Sequence, residues 1–226
     1  MASPLLANVY LHYVFDWWTQ AWCRKSAQGY IRVVRFADDI VVGFQEKADA
    51  ERFWKELKER MEKFQLELHP EKTRLLEFGR FAAQRRQQRG EGKPETFNFL
   101  GFTHICGKTR KGAFAVLRQT IRKRMRAKLK VIQRELRRRM HDSLPAVGAW
   151  LRSVLRGHFA YYGVPTNSPA LRAFWYEVSR RWRRILARRS QRGRVPWVRL
   201  QRLLKRWLPS PRICHPYPSW RVRVTT

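Results

Sequence analysis

The spacing of hydrophobic residues divides the chain into a mixed first part and a helical second part. Residues 31–36 and 40–44 are apolar runs rich in Val and Ile, which predict the two strands of a hairpin. Residues 48–64 carry apolar positions at helical spacing, and residues 97–105 alternate in the manner of a strand. Residues 80–96 are polar, contain Gly and Pro, and predict a loop. The first part is therefore predicted to combine helices with an antiparallel sheet.

Helical spacing dominates the second part. The apolar residues of 118–140 form a single stripe, and further helices are predicted at 144–162, from Ser168 and from Pro196. Residues 209–226 contain four of the 11 prolines and predict an irregular tail. The pattern as a whole predicts an α+β protein in three segments, which are residues 1–116, 117–208 and 209–226.

The charge is distributed as unevenly as the predicted elements. The formal net charge of the chain is +32. Residues 1–106 carry 17 basic and 14 acidic side chains, whereas residues 107–226 carry 32 basic and 3 acidic ones. Such an excess indicates a polyanionic partner, with nucleic acid as the first candidate and an anionic membrane surface as the second.

Cysteine use and hydropathy narrow the class of protein. The three cysteines are isolated and no Cys-x-x-Cys pair is present, which argues against a zinc site and against a disulfide framework. No apolar run approaches the length of about 18 residues expected of a transmembrane helix, and the N-terminus lacks the pattern of a signal peptide. We therefore expect a soluble protein of a reducing, cytoplasmic compartment, with no membrane partner.

Two adjacent acids, Asp38 and Asp39, lie between the strands of the predicted hairpin. Neighbouring carboxylates repel each other, and this repulsion is unfavourable unless a cation neutralises it. Mg²⁺ is suited to the task, because it prefers oxygen ligands and keeps waters and phosphates as its other partners. The alternative is a solvated turn whose acids face water, since Asp is a common turn residue.

The predicted helix at 118–140 carries eleven basic residues and a single acid, Glu135. A charged helix surface is most often a solvated face, but like charges on successive turns destabilise an isolated helix. Contact with phosphates is therefore favoured over a merely solvated face. The candidate nucleic-acid-binding residues of this segment are Arg118, Arg122, Arg126, Lys130 and Arg134.

Five short segments, in order along the chain, match motifs of one known family. They are SPLLANVYL at 3–11, FADD at 36–39, LHPEKT at 68–73, FNFLGF at 97–102, and LRGHFAYYG at 155–163 followed by Asn167. The chain resembles the reverse transcriptases of group II introns. In that family the segments correspond to the helix after a Gln-Gly-Gly turn, the Tyr/Phe-Ala-Asp-Asp motif, the chain after the palm helix, the hairpin that closes the palm, and the maturase or thumb domain.

The resemblance implies a right-hand polymerase that copies RNA into DNA and assists the splicing of its intron. Residues 1–116 would form the C-terminal part of the palm, and residues 117–208 the helical thumb or maturase domain. The implied partners are template and intron RNA, a DNA primer and, in an intact parent protein, deoxynucleoside triphosphates. The implied location is the bacterial cytoplasm, in association with the nucleoid, and the oligomeric state stays open.

The resemblance also implies roles for individual residues. Asp38 would be the principal ligand of two Mg²⁺ ions, and Asp39 the second acid. Lys72 is a candidate proton donor to the leaving pyrophosphate, with a surface lysine in a turn as the alternative. The remaining candidates would support the primer or bind RNA, and several of them have core packing as an alternative role. They are Phe99, Leu100, Gly101, Arg156, Tyr161, Tyr162 and Asn167.

Two departures from the family pattern bear on activity. The family has a third catalytic aspartate in an earlier palm strand, and fingers that grip the incoming nucleotide. Both would precede the segment with which this chain opens, so the metal pair is short of a carboxylate ligand. We therefore expect the 226-residue chain alone to be inactive, although an intact parent would polymerise.

Two functions of different classes compete for this chain. The first is an enzyme, an RNA-directed DNA polymerase, whose signature is Asp38 with Asp39. The second is a non-catalytic RNA-binding splicing cofactor, whose signature is the basic charge of residues 107–226. A change of Asp38 to Ala would separate them, because loss of DNA synthesis in the full-length parent with retained splicing would assign the acids to polymerisation alone.

Overall fold

The computed structural model describes residues 4–109, 111–189 and 196–217. The chain forms two compact units, unit 1 at Met1–Phe78 and unit 2 at Gly79–Thr226. Both units combine helices with antiparallel strands, which confirms the predicted α+β class. The predicted domain boundary at residue 116 is a separate matter and stays a prediction.

Unit 1 begins with a continuous helix that changes its pitch. Helix α1, Pro4–Leu11, passes into a π-helical stretch, His12–Trp17, and then into helix α2, Trp18–Lys25. Ser3 and Pro4 are typical of the cap and first turn of a helix, and Ser3 lies outside the described residues. Four apolar side chains of this helix fall at helical spacing, which predicts a buried stripe, but they are exposed; these are Leu5, Leu6, Val9 and Tyr10.

The core of unit 1 forms where this helix meets a hairpin and a second helix. Strands β1, Ile31–Phe36, and β2, Asp39–Phe44, pair antiparallel, and helix α3 follows at Lys47–Lys63. The apolar stripe of α3 is buried as predicted, and Phe53 packs its ring 5.1 Å from that of Trp22. The hairpin adds the side chains of one face to this core; they are Ile31, Ile40, Val42 and Phe44.

The chain between α3 and the second sheet differs from the prediction in two ways. Leu66 and Leu68 alternate with polar residues, which predicts a short strand, but they pack against the core of unit 1 without forming one. Gln65, at φ 55°, turns the chain directly after α3. The predicted loop at 80–96 contains helix α4 at Ala82–Gln88.

The second sheet lies in unit 2 and has three antiparallel strands in the order β3-β4-β5. They are β3 Phe97–Phe99, β4 Phe102–Lys108 and β5 Phe114–Thr120. The single strand expected at 97–105 is therefore wrong. Leu100 and Gly101 interrupt it as a two-residue loop with φ angles of 46° and 82°. Positive φ at both positions is the pattern of a type I′ hairpin turn, in which Leu is unusual.

Four helices of unit 2 bury one large core. They are α5 Arg122–Arg138, α6 Leu144–Tyr162, α7 Ser168–Arg188 and α8 Trp197–Trp207. Leu136, Leu151 and Trp182 are fully buried at the centre of this core. Helix α5 starts four residues later than expected, because residues 114–120 extend the sheet. No helix in the described part of the chain is long and apolar enough to cross a membrane.

Two glycines of α6 are expected to respond oppositely to alanine. At Gly148 a Cβ would lie 2.4 Å from Cδ2 of Trp207, so Gly148→Ala forces α8 away and should cost about 1–3 kcal/mol. At Gly157 a Cβ would meet nothing within 4 Å, so Gly157→Ala should stabilise the helix by about 0.5–1 kcal/mol. Urea unfolding of both variants checks this, and equal shifts in the free energy of unfolding would contradict the described α6–α8 packing.

Candidate active site and nucleic-acid interface

The acidic pair of unit 1 lies at the tip of the β1–β2 hairpin. Ala37 and Asp38 form the two-residue loop, and Asp39 opens β2 opposite Phe36. Ala37 adopts φ 54°, a left-handed conformation that a two-residue hairpin loop requires at its first position. Both acids are exposed to solvent. The tip therefore presents two adjacent carboxylates outward.

Arg35 fixes this tip to the opening helix. Its Nε and Nη2 donate to Oδ1 and Oδ2 of Asp16 at 2.8 and 2.7 Å, which is a bidentate pair. Its Nη1 donates to Oδ1 of Asn8 at 2.9 Å and to the carbonyl of Ala37 at 3.1 Å. One guanidinium therefore holds α1, the π-helical stretch and the hairpin loop together.

The Arg35 guanidinium also determines the charge state of its partner. Hydrogen bonds from Arg35, assisted by one from His12, hold the pKa of the Asp16 carboxyl below its usual range. Asp16 therefore stays ionised and balances Arg35. Because Arg35 is engaged with Asp16, its charge is not directed at Asp38 and Asp39.

Arg35 is a charged residue at a strand position where the alternation of β1 predicts an apolar one. Arg35 shares the core-facing side of β1 with Ile31, where an apolar residue is expected. A cation on that side requires a polar or acidic partner. Asp16 and Asn8 supply it, and neither was singled out from the sequence.

The two carboxylates at the tip supply some, but not all, of the oxygen ligands that a hard divalent cation such as Mg²⁺ needs. Two exposed carboxylates supply oxygen ligands and leave room for the waters and phosphates that Mg²⁺ retains. Within residues 4–109, 111–189 and 196–217, no group of three or more His, Cys, Asp or Glu side chains is placed to hold a metal.

Lys72 lies in the same unit as the acidic tip, in an exposed turn. The backbone N–H groups of Lys72 and Thr73 donate to the carbonyl of His69 at 3.2 and 2.9 Å. These backbone bonds define the turn. They do not involve the side chain of Lys72 and so do not bear on a catalytic role. The proposed proton-donor role stays a prediction.

The Leu100–Gly101 turn of unit 2 is held by α6 and by the chain entering α5. The hydroxyl of Tyr161 donates to the carbonyl of Leu100 at 3.0 Å, and the N–H of Ile121 donates to that of Gly101 at 3.1 Å. A Cβ at Gly101 would lie 3.2 Å from the hydroxyl of Tyr162. Phe99 and Leu100 are half-buried, and Gly101 is buried. The candidate primer-supporting turn is thus a fixed structure.

Asn167 is a positioning residue rather than a surface contact. Its side chain is fully buried, and its Oδ1 accepts from the N–H of Thr120 at 2.9 Å. Its Nδ2 donates to Oγ1 of Thr120 and to the carbonyl of Tyr162, both at 2.8 Å. The direct contact with RNA that was predicted for Asn167 does not fit this position. Its amide group is inaccessible and already hydrogen-bonded to Thr120 and Tyr162.

The cationic candidates of α5 are exposed, but Arg118 belongs to a different element. Arg118 lies in β5 opposite His104, and its backbone N–H donates to Oγ1 of Thr166 at 2.9 Å. Its assignment to the helix was wrong, since the sheet extends to Thr120. The candidates with exposed side chains on helices are Arg122, Arg126, Lys130, Arg134 and Arg156.

The whole excess of positive charge belongs to unit 2. Residues 79–226 contain 37 Lys and Arg against 5 Asp and Glu, a net of +32, whereas residues 1–78 contain 12 of each. The acidic tip therefore belongs to a neutral unit, and the anchored turn and α5 belong to a strongly basic one.

Residues 1–104 match the family model of reverse transcriptases, which are RNA-dependent DNA polymerases. The match covers all of unit 1 and ends within β4. It supports a reverse transcriptase family, a class of nucleotidyltransferases that use divalent metal ions and bind nucleic acid. The fold is compatible with a partial reverse transcriptase palm followed by a helical region. Comparisons with curated proteins and with solved structures gave no match.

Removal of Arg35 is expected to destabilise unit 1 of this reverse-transcriptase-like chain. Arg35→Leu removes the Arg35 hydrogen bonds to Asp16 and Asn8, and hydrogen bonds to charged groups contribute about 1.5–3 kcal/mol. The variant should lose free energy of unfolding on that scale, and its amides at 37–39 should exchange faster with solvent. Urea unfolding and hydrogen exchange followed by NMR measure both effects.

A matched change on the same strand is the control. Arg32 is exposed and lies over the ring of Tyr30 at 4.5 Å, so Arg32→Leu should cost no more than about 1 kcal/mol. If the two variants unfold alike and exchange at 37–39 is unchanged, Arg35 does not anchor the tip.

Proposed function

We propose that this chain acts as the C-terminal palm and thumb of a group II intron reverse transcriptase, a protein that also assists splicing. The acidic tip carries the polymerase half of the proposal. Two exposed carboxylates at a clamped hairpin, inside a segment that matches reverse transcriptases, are the observation on which it rests. The ordered maturase-like motifs of unit 2 are the reason for the group II assignment.

In this proposal the residues of unit 1 hold and orient. Asp38 and Asp39 would hold Mg²⁺, which when bound activates the primer 3′-oxygen and stabilises the leaving phosphate. Arg35 limits the motion of the loop through Asn8 and the carbonyl of Ala37, so the carboxylates need little reorganisation. Lys72 is the proposed proton donor to pyrophosphate, as the resemblance implies.

Unit 2 would bind the nucleic acid by its charge and present the anchored turn to the primer strand. Exposed cations on α5 and α6 suit contact with phosphates, which dominates affinity for nucleic acids. The Leu100–Gly101 turn is fixed by Tyr161 and Ile121, so it can support a strand end without rearranging.

The second candidate function is a splicing cofactor that binds RNA without polymerising. The observation in its favour is that the net charge of residues 79–226 is +32 while residues 1–78 are neutral. RNA binding by unit 2 requires nothing from Asp38 and Asp39. The two functions therefore make separable predictions.

The acidic tip is expected to bind a divalent cation. Mn²⁺, a paramagnetic substitute for Mg²⁺, should broaden the NMR signals of residues 37–39, and the double change Asp38→Asn with Asp39→Asn should abolish this local broadening. Glu59→Gln removes an exposed acid from α3 and should leave it intact. Equal broadening around all exposed acids would mean that the tip has no cation preference.

Cation binding is expected without polymerisation by the chain alone, because the tip offers two carboxylates and the described residues add no third. Mg²⁺-dependent extension of an RNA-templated DNA primer by the 226-residue chain would contradict this part of the proposal.

RNA binding is expected to weaken steeply with salt. A site that neutralises 6–10 phosphates loses about 10³–10⁵ in affinity between 50 and 200 mM salt on duplex nucleic acid. Fluorescence anisotropy with a structured RNA should therefore give a steep slope of affinity against salt. The double change Arg126→Gln with Lys130→Gln should reduce the slope by about 2, and Asp38→Asn should not alter it. A nearly flat slope would refute the electrostatic account.

A further inference from the structure

A groove of about 330 Å³ in unit 2 lies between α5, α6 and the end of β5. Its volume falls within the range of about 300–1,000 Å³ typical of small-ligand sites. Arg124 and Lys128 of α5 line it together with His158, Tyr161 and Tyr162 of α6. Cationic, aromatic and imidazole groups therefore converge on one space.

His158 lines this groove and carries a buried polar atom without a partner among the described residues. The side chain is 8% exposed, and Nε2 is buried without a hydrogen-bond partner among the described residues. Its ring stacks on Phe174 with centroids 3.6 Å apart, so the imidazole is fixed in place. A buried polar atom without a partner is unfavourable, and its presence calls for an explanation such as a ligand.

The charge state of His158 restricts the ligand group that it can meet. Burial, with the nearby Lys128 ammonium as the smaller cause, lowers the pKa of His158 to about 4. The ring is therefore neutral near pH 7 and offers one donor and one acceptor. Such a ring suits the polar edge of a nucleobase, whereas Arg124 and Lys128 suit a phosphate.

Gly157 leaves open the space that an inserted group would use. It lines the groove beside His158, and a Cβ built at this position would meet nothing within 4 Å. Tyr161 is 52% exposed and offers a ring for stacking, which is how unpaired RNA bases are commonly held.

We propose that this groove binds one unpaired nucleotide of an RNA strand, with its phosphate at Arg124 and Lys128 and its base against Tyr161 beside His158. The inference rests on the proposed RNA-binding function of unit 2 and adds to it a site for a single bulged residue. Charge alone gives no preference between paired and bulged RNA, whereas a groove that accepts a base does.

The test compares two RNA hairpins that differ by a single bulged nucleotide. We expect the wild-type chain to bind the bulged RNA about tenfold more tightly, a factor in line with the stacking of one base on an aromatic ring. Gly157→Leu fills the groove without altering charge, and His158→Phe keeps a ring on Phe174 but removes the nitrogens. Both should reduce the preference to less than about twofold while affinity for the paired RNA is kept.

A pair of charge changes on α5 separates the groove from the general surface. Lys128→Gln should reduce the preference for the bulged RNA, whereas Lys130→Gln, outside the groove, should weaken binding to both RNAs equally. Circular dichroism checks the fold of each variant. Gly157→Ala, which adds a single methyl group, is the conservative control for Gly157→Leu.

The outcomes distinguish this inference from the function on which it rests. Equal binding of the two hairpins by the wild-type chain, or a preference that survives both Gly157→Leu and His158→Phe, overturns the groove as a nucleotide site. In either case steep salt-dependent binding to both RNAs would persist. Absence of any salt-dependent RNA binding instead overturns the proposed function.

Discussion

The buried amide of Asn167 is the interaction on which the arrangement of unit 2 depends. It joins the end of β5, through Thr120, to the end of α6, through the carbonyl of Tyr162. Because the site is buried, loss of this side chain would leave several polar groups without their partner, and each of them is costly to bury unpaired. The same junction fixes Tyr161, which holds the Leu100 turn. One buried amide therefore sets the position of the turn and of one wall of the groove.

Arg35 joins separate elements of unit 1 in the same way, and it also affects the charges near the hairpin tip. Its guanidinium is balanced by Asp16, whose pKa is lowered by that contact, so the pair is neutral as a whole. Asp38 and Asp39 therefore lie at a tip held by a guanidinium that is already paired with Asp16. A hairpin that combines a rigid loop with uncompensated acids favours a cation from solution over an internal partner.

Elements determined by local spacing could be predicted from the sequence, and elements determined by distant contacts could not. Helices α3 and α6 and the β1–β2 hairpin lie within a residue of their predicted bounds, since their apolar periodicity and end signals are local. The break at Leu100 was missed because a left-handed Leu is stabilised by Tyr161, 61 residues further along the chain. The burial of Asn167 and the partners of Arg35 were missed for the same reason.

The separation of charge between the units explains why affinity and selectivity need different sources. Phosphate contacts by exposed Arg and Lys side chains give strong binding that carries little information about the RNA. With a net charge of +32 in residues 79–226, the proposed RNA binding would attract almost any RNA to this unit. Discrimination among RNAs then requires uncharged features of defined shape and hydrogen-bonding capacity, which only some RNA molecules can match. The open space at Gly157 and the nitrogen of His158 that has no partner within the described ranges are features of this kind, because neither contributes to general attraction.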